Sequence, residues 1–118
     1  MFAAAHLPET DPSDEDLGHE IPHDAWSAWF FALNEAMGDH GAYWTTTDTR
    51  STTEPAVVLL PVADDLADIW RNLKPGVEAL AAGPRQQDVT WEWRFSFETH
   101  WGAHAAEAIR AVHTALRD

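Results

Sequence analysis

Apolar residues recur at helical spacing in three stretches of the chain. In residues 23–37, Trp26, Trp29, Phe30, Leu33 and Met37 fall on one stripe with Glu35 opposite, which predicts a first helix. Asp24 sits in its first turn, where the helix dipole favours an anion, and Gly38 and Gly41 follow its end. A second helix is predicted over 62–82, where Pro61 suits the start and Leu66, Ile69, Leu73, Val77 and Leu80 form the stripe. Pro75 removes one hydrogen bond from that helix, so the expectation is a kink or two abutting helices. Between the two, Tyr43-Trp44-Thr45-Thr46-Thr47 and Val57-Val58-Leu59-Leu60 are β-prone and flank a Thr-, Ser- and Pro-rich segment. Residues 42–60 therefore read as an extended loop or a short hairpin.

The C-terminal third carries two periods at once. Val89 to Glu98 alternates apolar and polar, the pattern of a strand with one buried face. The series Trp93, Phe97, Trp101, Ala105, Ile109 (or Ala108), Val112 and Leu116 also steps at helical spacing. From Trp101 onward the Ala-rich sequence is helical. On pattern alone, residues 89–98 read as a strand.

Residues 8–20 are acidic, contain Pro and have almost nothing apolar to bury, so residues 1–20 are expected to be a flexible acidic tail ahead of a single domain at 21–118. With 118 residues, 45% hydrophobic and seven Trp, the chain has material for one core. It has no cysteine, which excludes disulfides, thiolate metal sites and a Cys nucleophile. The start of the chain lacks a basic segment and a long apolar run, so it does not read as a signal peptide, and the expected compartment is the cytoplasm. The net charge of −13 arises in the first half: residues 1–68 hold fourteen Asp and Glu against Arg50 alone, whereas 69–118 hold six of each sign. Such a chain repels nucleic acid and anionic membrane, and neither is expected as a partner.

Two segments have a familiar look. Ala63-Asp64-Asp65-Leu66-Ala67-Asp68-Ile69-Trp70-Arg71-Asn72-Leu73-Lys74 and Trp91-Glu92-Trp93-Arg94-Phe95-Ser96-Phe97-Glu98-Thr99-His100-Trp101-Gly102-Ala103-His104 together resemble the bacterial family called domain of unknown function 5063. The resemblance covers roughly the last sixty residues, and Pro75 departs from it. It implies an all-α fold, a small bundle of three to four helices, and so turns residues 86–99 to helix. It implies no activity.

The sharpest chemical pattern is His100-x3-His104-x2-Glu107, which on a helix shares one face on the flank of the apolar stripe. Imidazoles at i and i+4 can share a metal ion. On the second helix, Asp64 and Asp68 are expected to point away from the core, while Asp65 and Asn72 flank it. If the two flanks meet, Asp65, His100 and His104 make a divalent-metal site with open positions, and the chain is then a metal-dependent enzyme. The competing reading is structural: Asp64 and Asp65 serve the helix dipole, Asp68 pairs with Arg71, and the histidines hydrogen-bond to Asp65. No phosphate loop and no nucleophile motif is present, and no organic cofactor is implied. Helical placement also spreads Trp91, Trp93, Phe95, Phe97 and Trp101 over more than one face. Trp91, Trp93, Phe95 and Trp101 are accordingly expected to form an interaction surface, and the leading expectation is an interaction or regulatory domain that self-associates or binds a protein partner.

Overall fold

The computed structural model describes residues 17–18, 20–46, 54 and 56–117, so the expected tail falls almost wholly outside the described residues. The domain is mostly helical, as the resemblance implied. Helix α1 (His23–Met37) ends in a 3₁₀ turn at Gly38–His40, and strands β1 (Ala42–Thr46) and β2 (Val57–Pro61) follow. Helix α2 (Val62–Ala82) leads through Gly83 to α3 (Gln86–Ser96), a π-helical turn at Phe97–Trp101, and α4 (Gly102–Leu116). Helices α3 and α4 run through the π turn without a break, so residues 89–98 are helix and the alternating pattern is overridden. Burial follows the helix and cuts across the alternation: Val89 and the polar Ser96 are buried, whereas Phe95 is half exposed and stacks on Trp91 at 5.0 Å.

Of the two readings for residues 42–60, the ends form a hairpin. Strands β1 and β2 pair antiparallel with Trp44 opposite Leu59 and Tyr43 opposite Leu60. Period two then divides the ribbon: Trp44, Val57 and Leu59 share the exposed outer face, and Tyr43 and Thr45 turn toward the helices. The ribbon runs directly into α2, and the Val62 amide donates to the Gly41 carbonyl at 2.8 Å.

Helix α2 is the centre of the molecule, with α1 along one side and α3, the π turn and α4 along the other. This explains two departures from the sequence reading. The stripe expected to be buried is not: Leu66, Ile69 and Leu73 are only partly buried, and Val77 and Leu80 are exposed. Besides two aspartates, the buried positions of α2 are Val62, Ala63, Ala67, Gly76 and Ala79, small residues that let two neighbours approach one helix. Pro75 lies inside a single helix of 21 residues rather than between two. Beside it, Gly76 is the point of closest approach to α3: a β-carbon there would collide with the Trp93 indole and come within 2.9 Å of Val89 Cγ1. The main apolar cluster is Trp101 and Ala105 with Ile69, Leu73 and Phe97 against them.

Trp101 therefore belongs to the core and not to an interaction surface: it is 5% exposed, and its indole N–H donates to Ser96 Oγ at 3.0 Å. Trp91 and Trp93 are half-buried as well. The second half of the α4 stripe behaves in the opposite way, with Ile109, Val112 and Leu116 exposed. No described helix is long and apolar enough to cross a membrane.

Candidate functional site

The flanks of α2 and α4 do meet, and they bring two histidines against two buried carboxylates. His104 on the first turn of α4 is clamped at both ring nitrogens: Nδ1 lies 2.6 Å from Asp65 Oδ1, and Nε2 lies 3.0 Å from Asp68 Oδ2. His100 in the π turn stands beside it, its Nε2 3.6 Å from the same Asp68 Oδ2, with the two rings edge to face at 4.9 Å. π turns are frequent at functional sites; this one closes when the Gly102 amide donates to the Phe97 carbonyl.

Each carboxylate is fixed from its far side. Asp65 Oδ2 accepts from the Tyr43 hydroxyl at 2.6 Å. Asp68 Oδ1 accepts from the Trp26 indole N–H at 2.8 Å and from Arg71 Nη2 at 2.7 Å. Arg71 in turn lies over the Trp26 ring. Asp68, expected to point away from the core, is 6% exposed. A helical wheel turns Asp68 away from the core only if one face of α2 is covered, and α1 covers the side on which Asp68 lies. Asp65 is 3% exposed. Asn72 lies one turn beyond Asp68, and its amide donates to the Asp68 carbonyl at 2.7 Å and meets His100 Nδ1 at 2.9 Å. In that orientation His100 carries its proton on Nε2, facing Asp68.

The electrostatics follow from the contacts. A neutral imidazole has one N–H, but both nitrogens of His104 face carboxylate oxygens, so the imidazolium is the form that fits. Its pKa is raised above the ordinary histidine value, first by the hydrogen bond to Asp65 and then by the charge of Asp68, against the opposing effect of burial. Asp64 is half-buried beside the pair, and burial together with the Asp68 charge raises its pKa. Burial and the bond to Asp65 push Tyr43 far up, so its hydroxyl remains a donor at neutral pH.

Among the described residues, two triads have ligand atoms close enough to share an ion: Asp68, His100 and His104, and Asp64, Asp65 and His104. Ligands about 2.05 Å from one ion stand about 2.9–3.4 Å apart at angles of 90–109°. Of the separations around Asp68 Oδ2, 3.0 Å falls within that range and 3.6 Å lies just above it. The 2.6 Å between Asp65 and His104 is too short for it and is a charge-assisted hydrogen bond. Asp65, the carboxylate singled out from sequence, therefore holds His104, and Asp68 faces both imidazoles. Glu107, the third member of the sequence pattern, turns to the hairpin: Thr45 Oγ1 reaches its Oε1 at 3.5 Å, and its Oε2 is buried without a hydrogen-bond partner among the described residues.

The fold and site define a small helical domain with a buried aspartate–histidine cluster at the junction of its central helix and a π turn. The family model for Domain of unknown function (DUF5063) matches residues 2–118, so the chain belongs to that family, and the match extends well beyond the two segments that carried the resemblance. Among solved structures the chain is similar to protein BF1032 from Bacteroides fragilis, with a TM-score of 0.78 and 18% identity over 97% of this chain. It spans 66% of that chain, and at this identity the likeness concerns the fold. No curated protein matches.

Proposed function

We propose that the domain binds one divalent transition-metal ion through Asp68 Oδ2, His100 Nε2 and His104 Nε2, with Asp65 orienting His104. The observation that carries this reading is the buried Asp68 oxygen shared by two imidazole nitrogens at 3.0 and 3.6 Å. Only the shorter is a hydrogen-bond distance; it also falls within the spacing of two ligands on one ion, and His100 closes slightly on loading to reach that spacing. The surrounding contacts support it. In a metal-binding histidine the second ring nitrogen donates to a carboxylate or carbonyl, as His104 Nδ1 does to Asp65. Loading also asks for a rearrangement at His100: its proton moves from Nε2 to Nδ1, and the Asn72 amide turns so that its oxygen accepts. Two imidazoles and one carboxylate leave positions open, and His100, whose side chain is 41% exposed, sets them toward solvent. That is the arrangement a metal-dependent enzyme uses.

The test is calorimetric titration of zinc and manganese. Wild type should take up one zinc per chain with a Kd of about 1 µM or tighter, about −8 kcal/mol, and the double variant His100→Ala, His104→Ala should take up none. No binding by wild type, with a stability loss in the double variant that zinc does not alter, would make the cluster a structural network.

A second reading, self-association or a protein partner, is favoured by a separate observation. Ile109, Val112 and Leu116 continue the buried α4 stripe but are 52%, 36% and 82% exposed. Of the aromatic surface expected from sequence, Phe95 alone is exposed.

A further inference from the structure

We propose that Tyr43 is a positioning residue for the metal centre, so that docking of the β-hairpin sets the affinity of the ion site. This rests on the metal reading above. A continuous line of short contacts connects the two: the Tyr43 hydroxyl donates to Asp65 Oδ2 at 2.6 Å, and the other oxygen of the same carboxylate holds His104 Nδ1 at 2.6 Å. His104 Nε2 then faces Asp68 Oδ2 at 3.0 Å. Asp65 is nearly inaccessible to water, so Tyr43 and His104 are its hydrogen-bond partners through the side chain. A carboxylate anchored at one oxygen presents the other in a fixed direction. That direction determines which nitrogen of His104 keeps the proton and where the lone pair of Nε2 points. Tyr43 donates and keeps its proton at neutral pH, since burial and the bond to Asp65 raise its pKa far above that range.

The hairpin has reason to need this contact. A two-stranded ribbon is marginal by itself, and the outer face of this one, Trp44, Val57 and Leu59, is exposed. Among the described residues, its side-chain hydrogen bonds to the helices are Tyr43 to Asp65 and the longer Thr45 to Glu107. Binding linkage is reciprocal: if the hairpin contact tightens the ion site by some factor, the ion tightens hairpin docking by the same factor. Sequence reasoning passed over Tyr43 because a tyrosine in a β-prone segment reads as a packing residue.

The experiment compares zinc affinities of the full chain by chelator competition. Tyr43→Phe removes only the hydroxyl, and Thr45→Val removes the other hairpin contact without touching Asp65. Tyr43→Phe should weaken zinc about tenfold or more, in the range seen when partners of metal-binding groups are lost, and Thr45→Val should leave it within about twofold. Asp65→Asn should weaken zinc similarly, and adding Tyr43→Phe to it should cost nothing further, because both act through one carboxylate. In wild type, zinc should slow amide exchange of Tyr43–Thr45, and in Tyr43→Phe it should not. Equal affinity in wild type and Tyr43→Phe, or an equal loss in Thr45→Val, would overturn the proposal while leaving the metal site standing. Failure of wild type itself to bind zinc would remove both.

Discussion

At the residue scale the centre turns on His104. Its pKa is raised by the bond to Asp65, so the folded state favours the imidazolium. The sign of the pH dependence follows: the metal-free protein has this stabilisation in full below the ordinary histidine value of 6.5, and loses it as pH rises through the raised value. Denaturant midpoints of apo wild type should fall as pH rises above the ordinary histidine value, relative to His104→Gln, whose profile should lack this component. Zinc binding at neutral pH should release about one proton, the one on Nε2, read from enthalpies in buffers of different ionisation heat. Asp68→Asn should destabilise the apo protein by about 2–4 kcal/mol in urea, since Arg71 and the His104 imidazolium lose their shared charge and Trp26 remains. Part of this centre was legible in the sequence. The i, i+4 spacing of His100 and His104, with Asp65 and Asn72 on the facing flank, placed four of the residues together. The pairing of Asp68 with Arg71 was legible, but its burial was not, because α1 covers that side of α2. Trp26 and Tyr43 were not legible, because each arrives through an element whose packing no helical period encodes.

At the element scale, the same limit explains the misplaced core of α2. A stripe of leucines marks the buried face only when one side of a helix is covered. Here two sides are, and Ala63, Ala67, Gly76 and Ala79 are enclosed because they are small. Gly76→Ala should therefore destabilise by about 1–3 kcal/mol through overpacking against Trp93 and Val89, although alanine is the better helix former. A urea midpoint at or above that of wild type would mean that α3 yields at this contact. The alternation at 89–98 points to a strand only on pattern alone; the family resemblance turns it to helix, and helix is what forms. Continuity with the Ala-rich helix beyond Trp101 decided the matter, together with packing of Val89 on α2.

At the scale of the whole molecule, the exposed apolar groups of the described residues include the stripe of Ile109, Val112 and Leu116 and the outer face of the hairpin. If the stripe is a contact between copies, light scattering should give a dimer at micromolar concentration that Val112→Asp with Leu116→Asp returns to monomer. A wild-type monomer at high concentration would remove this reading without touching the metal site. The central claim is tested most directly by crystals grown with zinc and measured at the zinc absorption edge. An anomalous peak bonded at about 2.0–2.2 Å to Asp68 Oδ2, His100 Nε2 and His104 Nε2 is the predicted result. An intact Asp68–His104 hydrogen bond with no anomalous peak between the two histidines would contradict it.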